Sequence, residues 1–243
     1  GSVIAFSSLA TTFVSGDTND ARDIFVYDTS TKTLKLASSS AAGVEGNGSS
    51  DQASVSGDGH YVAFTSTSSN LAGSTVNPNG EIFVKNLSSG AISRASAALH
   101  GEAANGVSNN AVLSNDGSVV AFDSYASNLV ANDSNGFKDV FIRVGGVTTL
   151  VSSAADGTAG NSISSLPQLT FGGDKIAFTS LASNLVSGDT NGVADVFLKD
   201  LTSGSIVCVS ESSTGAQANG GSTLLSISSD GHYVAFYSTA TNL

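Results

Sequence analysis

Three short segments carry two aspartates and an asparagine in one spacing, Asp-x-Asn-x-x-x-Asp: Asp17, Asn19 and Asp23; Asp133, Asn135 and Asp139; Asp189, Asn191 and Asp195. At this spacing three oxygen-bearing side chains can converge on one point. Hard cations such as calcium take about six to eight oxygen ligands at about 2.3–2.6 Å, with carboxylates prominent. Gly136 and Gly192 allow the sharp turn such a loop needs. The carbonyl two residues before the last aspartate (Ala21, Phe137 or Val193) can supply a fourth oxygen. The chemistry these residues suggest is structural calcium binding. An ordinary polar turn capped by Asp and Asn is the competing reading; recurrence at matching positions favours the ion.

The loops hold fixed places in an internal repeat. The strand Val3-Ile-Ala-Phe6 returns as Tyr61-Val-Ala-Phe64, Val119-Val-Ala-Phe122, Lys175-Ile-Ala-Phe178 and Tyr233-Val-Ala-Phe236, with successive starts 58, 58, 56 and 58 residues apart. A near-constant period without a long helical pattern marks a repeated β unit. Each unit reads as four short strands. The first, such as Ala53–Ser56, ends at an Asp-Gly turn (Asp58-Gly59, Asp116-Gly117, Asp230-Gly231), a strong hairpin signal. The second is the Val-Ala-Phe strand. The acidic loop follows it and runs into the third strand, as in Asp195-Val-Phe-Leu-Lys199. The fourth, such as Thr33–Leu36 or Ile206–Val209, leads to a Ser-rich connector with a recurring Gly-x-x-x-Asn: Gly43 to Asn47, Gly101 to Asn105, Gly157 to Asn161 and Gly215 to Asn219.

Middle strands that are apolar on both faces (Ile24, Phe25, Val26 and Tyr27) suit blades sandwiched between neighbours. The expected fold is all-β, a β-propeller of four-stranded antiparallel blades with four full repeats and a terminal half-repeat, about five blades. Residues 1–243 read as a single domain, with units at approximately 1–50, 51–108, 109–164, 165–221 and 222–243. A β-solenoid has shorter coils and no need of Asp-Gly hairpins. Phe6, Phe25, Phe64, Phe83, Phe122, Phe141, Phe178, Phe197 and Phe236 are expected to lie buried between blades. The units supply three, four, four, four and two strands, seventeen in all, which whole blades cannot use up. Either the ends pair within one chain, leaving one second strand redundant, or the chain is an open arc whose edges invite self-association.

The pattern Ser-x-Asp-Gly-x-x-Val-Ala-Phe-x-Ser, then Asn-Leu, Gly188-Asp-Thr-Asn-Gly192 and Asp195-Val-Phe197 resembles bacterial TolB-type (WD-like) propeller repeats, and within them the calcium-loop variety of secreted and cell-surface proteins. The resemblance covers the whole chain. It implies a propeller; because such folds serve many roles, it says little about function. The second unit departs from the pattern: its loop reads Thr75, Asn77 and Glu81, and Pro78 replaces the loop glycine, so an empty or weak site is expected there. In the first unit Thr12-Phe13 replaces Asn-Leu.

With 9 Lys+Arg against 20 Asp+Glu, the net charge of −11 argues against nucleic acid or an anionic membrane as partner. Three bound divalent ions would bring that charge to about −5. No stretch approaches the ~18–20 apolar residues of a membrane span, and no signal peptide is recognisable. The single cysteine, Cys208, excludes an intrachain disulfide and reads as a small buried hydrophobe. His60 and His232 follow Asp-Gly turns and His100 sits in a connector, all without a metal or catalytic companion. No Gly-x-Ser-x-Gly elbow is present, and paired carboxylates that recur from blade to blade do not resemble a single asymmetric active site. No catalytic residue is nominated.

The expectation is therefore a non-enzymatic, calcium-stabilised interaction or assembly module of extracellular, cell-surface or periplasmic location. Its partner would be another protein or a second copy of itself. One alternative is a lectin-like propeller binding glycan at the Gly-x-x-x-Asn connectors; another is a propeller accompanying a hydrolase.

Overall fold

The structure, a computed structural model, describes residues 1–73, 77–131 and 133–243. These residues form seventeen strands and no helix. The first repeat gives the three-stranded sheet β1 (Val3–Ser8), β2 (Asp23–Asp28) and β3 (Thr33–Leu36). The next gives the meander β4 (Ser50–Val55), β5 (Tyr61–Ser66), β6 (Glu81–Asn86) and β7 (Ile92–Arg94). The third and fourth repeats copy it as β8 (Ser108–Leu113), β9 (Val119–Ser124), β10 (Asp139–Val144), β11 (Val147–Leu150), and β12 (Ser164–Leu169), β13 (Lys175–Ser180), β14 (Asp195–Asp200), β15 (Ile206–Cys208). The hairpin β16 (Ser222–Ile227) and β17 (Val234–Ser238) ends the series. All pairings are antiparallel, and neither β1 nor β17 pairs with the other end among the described residues. The chain is an open arc of propeller blades.

In every blade with a third strand the register sets two phenylalanines opposite each other, and their rings stack at 5.7–6.1 Å: Phe6 on Phe25, Phe64 on Phe83, Phe122 on Phe141, Phe178 on Phe197. The hydrophobic core lies between blades rather than within one. Ile24 and Val26 of the first blade meet Val62 and Phe64 of the second; Ala63 and Ile82 meet Val120 and Phe122 of the third. Ala63, Ala121 and Ala177 are wholly buried, because a larger side chain on the second strand would push adjacent blades apart. Of the nine phenylalanines expected inside, seven are fully buried. Phe6 and Phe236 are only half-buried, since the terminal sheets have a neighbour on one side alone.

The first strands begin earlier than hydrophobicity suggests. Polar residues at Ser50, Asp51 and Gln52 pair with β5, and a bulge follows before the apolar half; the same bulge interrupts β8, β12 and β16. Gln52, Asn110 and Leu166 occupy the left-handed region there, at φ 56°, 55° and 56°. First strands of successive blades pack on one another, which puts β4, β8, β12 and β16 at the inside of the arc. Their hairpin turns are strung together by backbone hydrogen bonds of 2.9 Å, from Asp58 N to Asn115 O, Asn115 N to Phe171 O and Phe171 N to Ser229 O.

A meander puts the loops after second strands and the connectors after fourth strands on the opposite face, where a second set of links repeats four times. Asn47 receives the Ser69 N–H on Oδ1 (2.7 Å), donates Nδ2 to Ser69 Oγ (2.7 Å) and its own N–H to Asn70 Oδ1 (3.0 Å), while Asn70 Nδ2 donates to Glu45 O (2.7 Å). The same pattern joins Asn105 to Ser127 and Asn128, Asn161 to Ser183 and Asn184, and Asn219 to Thr241 and Asn242. Both recurring motifs, Gly-x-x-x-Asn and Asn-Leu, are thus the halves of an interblade clasp. The first blade, with Thr12-Phe13, lacks the receiving half; Phe13 instead packs edge-on against Phe6 and Phe25.

Candidate metal centres in the blade loops

Each acidic loop is braced from three sides. The asparagine closes an Asx turn by accepting the N–H two residues on: Ala21 N on Asn19 (2.6 Å), Phe137 N on Asn135 (2.9 Å) and Val193 N on Asn191 (3.1 Å). Its Nδ2 then donates to the last aspartate, at 3.0 Å to Asp23, 2.7 Å to Asp139 and 2.7 Å to Asp195. The same Nδ2 also reaches a connector carbonyl, Gly46, Gly160 or Ala218. The asparagines therefore orient the carboxylates, with their own oxygens turned to the backbone. Gly136 and Gly192 take φ of 73° and 67° within these turns, and Asp20 in the first blade adopts 55° at the same place.

A serine after the fourth strand supplies the other brace. Ser38, Ser152 and Ser210 donate Oγ to Asp23, Asp139 and Asp195 at 2.5–2.6 Å, and accept the N–H of the next third-strand residue, Ile24, Val140 or Val196, at 3.0 Å. These serines recur with the repeat period, a signal present in the sequence though drowned by the many other serines. In each loop the two aspartates are near enough to repel one another, Asp17 with Asp23, Asp133 with Asp139 and Asp189 with Asp195.

Among the described residues no cationic side chain forms an ion pair with these aspartates. Asp17 Oδ1 and Asp133 Oδ1 are buried without a hydrogen-bond partner, in residues only 6% and 7% exposed. In the first blade Glu45 reaches in from the connector, and Asp17, Asp23 and Glu45 offer oxygens within 4.8 Å of one another. Glu45 is held by Thr18, whose N–H and Oγ1 both donate to it at 2.9 Å. Gln217 takes the same place in the fourth blade, accepting from Thr190 N (3.3 Å) and donating Nε2 to Asp189 (3.4 Å); Ala159 stands there in the third. Because this position is Glu, Ala or Gln by turns, periodicity could not reveal it.

The electrostatics separate these acids from the others. Burial raises the pKa of Asp17, Asp23, Asp133 and Asp189, and lifts Asp139 to about 6, with neighbouring carboxylates adding to the effect at all of them but Asp133. The turn aspartates Asp28, Asp116 and Asp230 are instead lowered to about 2 by hydroxyl and backbone donors. Carboxylates clustered against desolvation are the arrangement a divalent cation relieves.

The second blade is built differently. Thr75 lies outside the described residues. Asn77 turns Nδ2 to Gly106 O (2.7 Å), and Glu81 forms an ion pair with Arg94 at 3.0 Å.

Residues outside the loops offer no catalytic set among the described residues. His60, His100 and His232 are exposed. Cys208 is half-buried on the outer strand β15, rather than wholly inside, because that strand packs on one side only. Lys85 and Lys199 are buried amines lowered to about 8 by desolvation. Their protons are engaged by connector groups of the preceding blade, Ser39 and Ser40 for Lys85, Val151 and Ser153 for Lys199.

No protein-family model and no curated sequence matches this chain. Solved structures do. TolB from Acinetobacter baumannii superposes with a TM-score of 0.52 at 19% identity, covering 99% of this chain and 49% of that one. A putative TolB from Agrobacterium tumefaciens gives 0.54 at 16% identity, covering 98% of this chain and 71% of its own. The fold is that of a TolB-type propeller. The chain spans about half the length of the first of these relatives. A Pyrococcus horikoshii acylaminoacyl peptidase also shares the fold, with a TM-score of 0.53 at 11% identity over 98% of this chain and 34% of that one.

Proposed function

We propose that this chain is a non-catalytic, calcium-stabilised propeller module that binds a protein partner or a second copy of itself outside the cytoplasm. One observation carries the reading. The same braced loop recurs on one face of the arc and leaves the buried oxygens of Asp17 and Asp133 without a partner. A buried unpaired anion is costly unless a cation meets it. An all-oxygen donor set suits calcium rather than softer metals. The ligands are Asp17, Asp23 and Glu45 in the first blade, Asp133 and Asp139 in the third, and Asp189 and Asp195 in the fourth. Asn19, Asn135 and Asn191 position the second aspartate of each pair.

Loops of this kind bind calcium with Kd of about 10⁻⁴–10⁻³ M, a range filled in extracellular, cell-surface or periplasmic settings. The ions act as staples, since each loop is bonded to the connector that clasps the next blade. Interaction is assigned to the open edges: β1 and β17 have one free side each, and Ile4, Leu225, Tyr233 and Tyr237 are exposed there. The glycan reading loses its proposed contacts, because the connector asparagines are engaged in clasps.

Metal analysis after dialysis against calcium, paired with thermal unfolding, tests the proposal. Bound calcium and a lower melting temperature after chelation, with the β-sheet spectrum retained, are expected. An unchanged melting temperature after verified removal overturns the calcium role. A stable monomer at high concentration by light scattering, together with no captured protein, overturns the interaction role.

A further inference from the structure

The odd second blade carries an inference that rests on the calcium reading and sharpens it. On the fourth strand, the residue opposite the third-strand phenylalanine is Leu36, Leu150 or Cys208 in three blades; in the second it is Arg94, paired with Phe83. A guanidinium there cannot rest in the apolar layer, and it turns toward the loop. Its Nε lies 3.0 Å from Glu81 Oε2, with the two side chains 7% and 1% exposed, and Nη2 donates to Ala72 O at 3.2 Å. Glu81 occupies the place of Asp23, Asp139 and Asp195 at the head of the third strand. Ala72 belongs to the same loop that elsewhere carries the first aspartate.

Charge balance agrees. In the third blade Asp133 and Asp139 bring two negative charges and no protein cation, so a divalent ion neutralises them. In the second blade Thr75 replaces one acid and Arg94 neutralises Glu81 from within the chain. We propose that Arg94 is a tethered cation that takes the ion's place in the second blade, excluding metal from Glu81 and tying Glu81 to Ala72 without calcium. The consequence is a propeller whose first, third and fourth loops depend on calcium while the second does not.

Hydrogen exchange on the intact wild-type chain reads this without any variant. Chelation should speed exchange at least tenfold in the loop-proximal amides of β2, β10 and β14, and leave those of β6 unchanged. Acceleration in β6 equal to the others overturns the assignment of Arg94. No change in any blade overturns the calcium reading itself and this inference with it. A second arm converts the site: Arg94→Leu with Ala103→Glu removes the internal cation and supplies the carboxylate that Glu45 provides in the first blade. Calcium titration should then find one more ion per chain than in wild type. A folded variant with wild-type stoichiometry, beside a calcium-binding wild type, refutes Arg94 as the excluding group while leaving the other sites intact.

Discussion

Asp17→Asn should stabilise the chain when calcium is absent and destabilise it when calcium is abundant. Asp17, Asp23 and Glu45 place carboxylate oxygens within 4.8 Å of one another. Two unit charges at that separation repel by about 3.5 kcal/mol at an effective dielectric of about 20, and by about 0.9 kcal/mol in water. Asp17 lies at the margin of the protein, so solvent screening takes back part of that repulsion. About 1–2 kcal/mol of strain remains for the substitution to release in chelator. At 10 mM calcium and a Kd of about 0.1 mM, the wild-type site gains about 2.7 kcal/mol that the variant forgoes. The net effect becomes a loss of about 1 kcal/mol. Urea unfolding followed by circular dichroism, in chelator and in 10 mM calcium, measures both signs. Asp230→Asn, at an exposed turn away from the loops, serves as the control whose effect does not vary with calcium. An Asp17→Asn effect of the same sign and size in both conditions would refute the reasoning.

Phe178→Ala should cost about 3–5 kcal/mol, because the ring is wholly buried and stacked on Phe197, whereas Phe236→Ala in the half-covered terminal hairpin should cost less than half as much; urea midpoints compare the two. Arg94→Leu should cost about 3–5 kcal/mol by stranding Glu81, and Glu81→Leu together with Arg94→Leu should recover most of that, which a double-mutant cycle reads directly. For metal-free protein the raised pKa of Asp139, about 6 in the fold, fixes a pH trend. The folded state binds its proton more tightly than the unfolded chain, so stability is full below the unfolded value of about 4 and falls as pH rises through about 6. Asp139→Asn should flatten that decline, as should saturating calcium; a slope unaltered by either change would contradict the assignment.

The amino-acid sequence alone carried the repeat and the strand inventory. Val-Ala-Phe strands, Asp-Gly hairpins and connectors recur at a near-constant period, and local turn chemistry needs no tertiary context to act. It also determined which loops are acidic, since Asp17, Asn19 and Asp23 and their counterparts lie within seven residues of chain. Tertiary structure decided what those residues do. Asparagine oxygens at the spacing of metal ligands are turned to backbone N–H groups, because the Asx turn satisfies them locally. The connector motif that looked like a ligand surface proved to be a clasp, legible only once Asn47 and Asn70, 23 residues apart, are seen face to face. Glu45 and Arg94 were hidden for the same reason. Each reaches its loop from another strand or connector, and a charge delivered across a sheet leaves no periodic mark on the chain that delivers it.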